Sequence, residues 1–285
     1  MEQPIPKKIK EIKPNVGIKQ FNTLLIDGSN ILEVCKEDDP NALICIKTTL
    51  SSNGKPIGGV FSFLLQIKLL LQKGNFRYVY VMWDGQESGQ LRYQLNSQYK
   101  ANRDKEFEEC GLSPYMQAVN SKIKSMQNYF FKQKDPIKIA ERKRHKDLFY
   151  WQRDVVMECL EELFIRQCLC DYTEADDFIG YYVAHKKPNE RIVIVSNDRD
   201  LTQLISDDVI VYVQSLKKFI NTKNHTDVMG YNYQNVVLKK MICGDASDNI
   251  KGIKGVGEKT LFDNFSEFKT RKIELEEVVN RARQI

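Results

Sequence analysis

The sequence predicts an α/β fold built on a mixed, largely parallel sheet. Three short apolar runs carry that expectation: Leu24-Leu25-Ile26-Asp27, Val79-Tyr80-Val81-Met82-Trp83-Asp84 and Ile192-Val193-Ile194-Val195-Ser196-Asn197-Asp198. Stretches of helical period bound them, the pattern of buried parallel strands joined by helices. Each run also ends in an acid. Ligands of open α/β sheets sit outside the carboxyl ends of the strands, so acids repeated there converge on one place. Two more clusters join them. Glu174-Ala175-Asp176-Asp177 opens a helical stretch, and Gly244-Asp245-Ala246-Ser247-Asp248-Asn249 precedes a glycine-rich lysine loop. Like charges that close repel unless a cation lies between them. The pattern predicts a divalent-metal site and metal-assisted chemistry on phosphate esters.

The elements follow in order. Residues Met1–Gln20, rich in Lys and Pro without an apolar run, are expected to form a flexible basic tail. Phe21–Asp27 is the first strand and enters an Asp-Gly-Ser-Asn turn. Gly58–Gln72 is a helix with Phe61, Leu64, Leu65, Lys68 and Leu69 on one face and Gly74 as its stop. Phe76–Trp83 is the second strand. Residues 84–172 are too long for an ordinary connection and show no obvious strand. Gln90–Arg103, Tyr115–Phe131 and Asp147–Gln167 read as helices, with a break at Lys132–Pro136. The basic run Arg142-Lys143-Arg144-His145-Lys146, followed by Phe149-Tyr150-Trp151, suits a helical lid that holds nucleic acid by phosphate contacts and stacking. Glu174–His185 is a helix capped by Thr173. Helical spacing puts Glu174 and Asp177 on one face, with Asp176 off it, reaching a metal through water or serving a second one. Arg191–Val195 is a strand, a helix runs through Ile205, Val209–Gln214 is another strand, and Tyr233–Cys243 is a helix. In the last motif Gly252, Gly255 and Gly257 permit a tight turn with outward N–H groups. Lys251, Lys254 and Lys259 add charge for phosphate.

Composition narrows the class. The chain has 285 residues, 42% of them hydrophobic, enough for one large domain with a smaller appendage. No run of about 18 apolar residues exists, so no membrane span is expected. Seven cysteines include no Cys-x-x-Cys pair, and three histidines are scattered, so no zinc signature is present. Reduced thiols and a cytoplasmic setting follow. The net charge is only +5, but setting aside the nine clustered acids leaves 29 others against 43 Lys and Arg. An acidic focus inside a basic envelope suits a nucleic acid backbone held around a metal centre.

At this point the chain resembles the 5′-nuclease, or flap endonuclease, family, especially its free-standing phage and bacterial members. The matching motifs are Ile26-Asp27-Gly28, Trp83-Asp84-Gly85, Tyr99-Lys100-Ala101-Asn102-Arg103, Glu174-Ala175-Asp176-Asp177, Ser196-Asn197-Asp198-Arg199-Asp200, and Gly244-Asp245-Ala246-Ser247-Asp248-Asn249 running into Gly252-Ile253-Lys254-Gly255-Val256-Gly257. The resemblance implies a PIN-like catalytic domain over 21–215, with a helical arch inside 84–172. Residues 216–285 would hold a helix–three-turn–helix element that grips duplex. It implies two or three Mg²⁺ ions, with Mn²⁺ as a substitute, and K⁺ at the Gly252–Gly257 loop. Asp27, Asp84, Glu174 and Asp176 would serve one metal, and Asp177, Asp198, Asp200, Asp245 and Asp248 would complete the site. Tyr99 would stack on a base near the cut. Lys100 and Arg103 would face the scissile phosphate, and Arg92 would assist.

The function this implies is structure-specific hydrolysis of phosphodiesters at 5′ ends and flaps next to duplex DNA. Removal of RNA from an RNA–DNA hybrid is a related activity. The chain would act as a monomer in replication or repair, with replication proteins in trans. Two other readings share part of the pattern. A PIN-like ribonuclease uses a similar acid edge but lacks the duplex loop. A binding-only protein would recognise junctions without cutting them.

Overall fold

The computed structural model describes residues 18–35, 50–96, 99 and 136–283. A six-stranded sheet lies at the centre, in the order β3-β2-β1-β4-β5-β6. Its strands are β1 (Thr23–Asp27), β2 (Tyr78–Asp84), β3 (Arg166–Cys170), β4 (Ile192–Val195), β5 (Val209–Val213) and β6 (Lys218–Ile220). All neighbours pair in parallel except β5 with β6. The expected mixed, largely parallel sheet is therefore present. Every residue of β1, β4 and β5 is buried, because helices cover both faces.

On one face lie α1 (Gly28–Cys35), α2 (Gly58–Leu71) and α4 (Pro136–Glu162). Phe63, Ile67, Val156 and Leu160 pack there against Leu24, Ile26, Val81 and Trp83. On the other face α5 (Ala175–Ala184) and a 3-10 helix (Arg199–Leu204) cover Leu25, Met82, Ile194 and Val211 through Ala175, Ile179 and Leu201. The short α3 (Gln90–Leu95) follows β2. A smaller core, made of Leu238, Ile242, Leu261, Phe265 and Phe268, joins α7 (Val236–Cys243), α8 (Glu258–Asn264) and α9 (Leu275–Ala282) beyond α6 (His225–Met229). Fully buried Asn235 secures this region: its Nδ2 donates to Phe268 O (2.9 Å) and Arg271 O (2.7 Å), and its Oδ1 accepts from Ile273 N (2.8 Å).

The structure corrects several expectations. Residues 84–172 do contain a strand. β3, reading Arg-Gln-Cys-Leu-Cys, lacks a β-branched run because it is the half-exposed edge of the sheet. The helix expected over Asp147–Gln167 starts at Pro136, since proline fits a first helical turn, and ends at Glu162. The Asp-Gly-Ser-Asn turn leads directly into α1. The helix expected from Gln90 to Arg103 stops at Leu95, where Asn96 turns extended. The segment Tyr115–Phe131 lies outside the described residues.

In α2 the core face is Val60, Phe63, Ile67 and Leu70, and Phe61 is 52% exposed. That helix is apolar nearly all round, so spacing alone does not choose the buried side. Glu174, not Thr173, caps α5. Two of the proposed boundaries also shift. Ile18, inside the expected tail, is buried in the core, and β6 extends the sheet to Ile220.

Two glycines make the packing testable. A Cβ on Gly85 would sit 1.8 Å from Cys170 O, where β2 leaves the sheet beside β3. A Cβ on Gly180, inside α5, would meet nothing within 4 Å. Gly85→Ala should lose about 1–3 kcal/mol by overpacking, whereas Gly180→Ala should gain about 0.5–1 kcal/mol. Urea unfolding of both variants checks the pair, and equal midpoints would refute the assignment.

Candidate active site

The parallel register aligns the acids. Asp27 ends β1 opposite Met82, so Asp84 lies two residues further along β2. Val195 ends β4 opposite Ile26, which brings Ser196 level with Asp27. Fully buried Ser196 then links two acids: its Oγ donates to Asp27 Oδ2 (2.8 Å) and accepts from Asp198 N (3.0 Å). Asn30 N donates to Asp27 Oδ1 at 3.1 Å. Asp84 Oδ1 accepts from Ala175 N (2.8 Å), and Asp84 N donates to Ser29 Oγ (2.9 Å), so α1, β2 and the start of α5 meet at one residue. Asp198 accepts from Asp200 N at 2.8 Å and caps the 3-10 helix that carries Asp200.

Asp27, Ser29, Asn30, Asp84, Ala175, Asp198 and Asp200 line an open basin of about 800 Å³. Of the nine acids singled out in the sequence, eight line it: Asp27, Asp84, Glu174, Asp176, Asp198, Asp200, Asp245 and Asp248. Asp177 points more outward, its side chain 49% exposed. Glu174 and Asp177 do fall close together, as the spacing predicts, but Asp176, expected off their face, joins them and lines the basin beside Glu174.

Two trios within the set bring carboxylate oxygens within 4.8 Å of one another, namely Glu174, Asp176 and Asp177, and Asp200, Asp245 and Asp248. Each is bridged by a cation of the chain. Arg92 on α3 pairs with Glu174, with Asp176 (3.0 Å) and with Asp177 (2.6 Å). Lys240 on α7 pairs with Asp200, with Asp245 (2.8 Å) and with Asp248 (2.9 Å). Arg92, expected to assist at a phosphate, thus sits among the acids. Tyr99 does too: its hydroxyl donates to Glu174 Oε2 (3.2 Å) and accepts from Arg92 (3.1 Å).

Electrostatics follow from this packing. Burial pushes the Asp27 carboxyl up to about 7, and the nearby Asp84 and Asp198 charges add to the effect. Burial also raises Asp198. The Tyr99 hydroxyl is pushed up to about 12, chiefly by burial. Burial opposes charge on Lys240, but its hydrogen bonds to Asp200, Asp245 and Asp248 hold the ammonium well above the usual lysine range. Burial likewise opposes charge on Asp245, yet hydrogen bonds from Lys240 and Ser247 hold that carboxyl below the usual carboxylate range.

The glycine-rich loop follows the second trio directly. Gly244–Asp245 pairs antiparallel with Ile250–Lys251, forming β7 and β8. A Cβ on Gly252 would lie 2.3 Å from the Cys243 carbonyl carbon, so the close return of the chain requires glycine there. Gly255 has φ +82° and Gly257 caps α8. Lys251, Lys254 and Lys259 are exposed. Lys100 and Arg103 lie outside the described residues. On α4, Phe149 lines the basin. Tyr150 beside it carries Arg153 and Lys146 over its ring, at 4.9 and 5.8 Å.

Sequence reasoning missed Lys240, Ser196, Ser29 and Asn30. Lys240 lies five residues before Asp245 and eight before Asp248. That spacing on the helix leading into the motif was an available signal. The hydroxyl and amide supports carry none, because a serine or asparagine after a strand is ordinary turn chemistry.

Comparison with known proteins gives a consistent picture. The family profile described as 5′-3′ exonuclease, N-terminal resolvase-like domain, matches residues 22–236. A 5′-3′ exonuclease of Mycoplasmopsis pulmonis is 34% identical over 130 residues, covering 44% of this chain and 44% of the relative. One from Bacillus subtilis is 29% identical over 227 residues, covering 78% of this chain and 62% of the relative. The chain thus spans roughly half the length of these curated relatives. The solved structure of a bacteriophage T5 flap endonuclease, in a pseudo-enzyme–product complex with DNA and metal ions, superposes with a TM-score of 0.61 at 18% identity. It covers 92% of this chain and 84% of that one, a likeness of fold.

The raised Asp27 carboxyl has a measurable consequence. The folded, metal-free chain keeps this proton up to about pH 7, whereas an unfolded chain releases it near the usual 3.8. The folded state binds more protons in that window, so its stability falls as pH rises from about 4 to about 7 and then levels. Denaturant titrations in EDTA across the window should show this slope for the wild type and lose it in Asp27→Asn. Parallel curves for the two proteins would reject it.

Proposed function

The chain belongs to the 5′-3′ exonuclease family, and on that premise we propose that it is a divalent-metal-dependent 5′ nuclease. Its substrate would be DNA with a 5′ end or flap next to duplex. The observation that carries this reading is the convergence of eight carboxylates in one open basin, directly before an exposed lysine-rich loop.

An all-oxygen donor set fits Mg²⁺ or Mn²⁺ better than a softer metal. Burial raises the Asp27 carboxyl, and the neighbouring Asp84 and Asp198 charges add to it, an effect that a cation among them would offset. Asp27, Asp84, Glu174 and Asp176 would hold one ion. Asp198, Asp200, Asp245 and Asp248 would hold a second, with Asp177 at the rim. A bound divalent ion lowers the pKa of a coordinated water and offsets charge on the leaving oxygen.

The chain's own residues position these groups. Ser196 and Asn30 fix the Asp27 carboxylate, and the Ala175 N–H fixes Asp84. Arg92 and Tyr99 orient Glu174. Lys100 and Arg103 would neutralise charge at the scissile phosphate, and Tyr99 would stack on a base beside it. The helices around Gly252, Gly255 and Gly257 would act as a helix–three-turn–helix grip, with K⁺ at the loop. Lys251, Lys254 and Lys259 would hold phosphates of the uncut duplex without reading sequence. Substrate choice then comes from structure, an RNA–DNA hybrid next to duplex included. The reading extends to a cytoplasmic monomer that works beside replication proteins in trans.

The test is cleavage of a 5′-labelled flap, with and without Mg²⁺, beside duplex and single-strand controls. Cutting near the junction that requires Mg²⁺ is expected. Asp198→Asn and Asp200→Asn should abolish it and leave duplex binding intact. Tight binding without cutting, in Mn²⁺ as well, would overturn the enzyme reading in favour of binding alone. Cutting of single-stranded RNA in its place would favour a PIN-like ribonuclease. Alanine at Lys251, Lys254 or Lys259 should weaken duplex binding and lower its salt slope by about one per lysine.

A further inference from the structure

Lys240 bridges three acids of the basin, and the nuclease reading leaves its role open. Its ammonium contacts Asp200, Asp245 and Asp248 together, and these are the acids whose carboxylates gather closely enough for an ion on that side of the basin. We propose that Lys240 is the resident counter-ion of this trio, and that a divalent ion enters there only by exchange with it. The inference rests on the metal-dependent reading above.

The physical argument begins with repulsion. Three carboxylates this close do not stay together without a positive charge among them. One ammonium that holds all three leaves no place on the same oxygens for another cation. The scaffold allows the exchange without unfolding. Leu238 and Ile242 anchor α7 in the smaller core and Val236 is buried beside them in the chain, so the backbone at Lys240 is fixed. Its side chain is a flexible four-carbon stem that can swing aside. Arg92 bridges the other trio, but one of its partners, Asp177, lies outside the basin, and Tyr99 shares the contact. Lys240 is the clearer case because all three of its partners line the basin.

The exchange keeps the metal-free fold intact and weakens the second ion relative to the first. Occupancy of the Asp200–Asp245–Asp248 place would then respond to metal concentration over a range where the first place is already filled.

The experiment measures Mn²⁺ binding by calorimetry and by electron paramagnetic resonance on the full chain, with melting curves in EDTA and in excess Mn²⁺. Lys240→Met should tighten the weaker class of Mn²⁺ sites by about tenfold or more, the scale of one charge-assisted contact. It should melt at lower temperature in EDTA and recover in Mn²⁺. Lys240→Arg keeps the charge and should not tighten binding. Lys239→Met removes the same charge one residue away, where the partner is Glu258, and should leave Mn²⁺ affinity unchanged.

If Lys240→Met does not fold in EDTA, purification in Mn²⁺ followed by chelator titration reads the same quantity, and slower loss of Mn²⁺ than from wild type supports the exchange. Equal affinities for Lys240→Met and Lys239→Met, with normal Mn²⁺ binding by wild type, overturn the exchange and leave the nuclease reading standing. A wild-type chain that binds no Mn²⁺ overturns both.

Discussion

Repulsion between carboxylates governs this molecule. Eight acids from five separate stretches of chain face one basin, and their mutual repulsion opposes the fold that brings them together. The scaffold meets that cost in three ways. Arg92 and Lys240 each bridge a trio. Backbone N–H groups of Asn30, Ala175 and Asp200 donate to Asp27, Asp84 and Asp198. At Asp27, burial first and then the nearby Asp84 and Asp198 charges drive the carboxyl toward its neutral form. A site strained in this way is poised for cations, because each ion that enters relieves repulsion already present.

The sheet determines where the repulsion is concentrated. Parallel pairing of β2, β1 and β4 puts three carboxyl-end turns side by side, and the strand order reverses next to β1. That switch point leaves room between the turns for a ligand. The smaller core around Phe268 has a different task. It holds α7 so that Asp245 and Asp248 reach the basin from outside the sheet, with Lys240 bridging them. His225 links the two parts: its ring nitrogens contact Tyr231 O (2.8 Å) and the hydroxyl of Thr202 (3.2 Å), on the 3-10 helix that carries Asp200.

Sequence patterning located central strands well and edge elements poorly. β1, β2 and β4 are apolar on both faces and end in acids, so composition and position agree. β3 and β6 sit at the sheet edges and lack a β-branched apolar run, β3 reading Arg-Gln-Cys-Leu-Cys and β6 only Lys-Phe-Ile. On α2 nearly every position is apolar, and only packing against β1 and β2 selects Phe63 over Phe61. Around the site, strand-end acids were legible because a carboxylate after an apolar run is distinctive. Their supports were not, since Ser196 or Asn30 gains meaning only from what lies across the sheet.

The sequence by itself determined the central strands, their succession along the chain and the identity of the acids that follow them, because those depend on local hydrophobic runs and their endings. Tertiary structure decided which acids share a cation. Arg92 joins Glu174, Asp176 and Asp177, more than eighty residues later in the chain. Lys240 joins Asp200, forty residues earlier in the chain, because α7 packs beside the 3-10 helix. Neither outcome follows from spacing along the chain, since both depend on contacts between segments that meet only when folded.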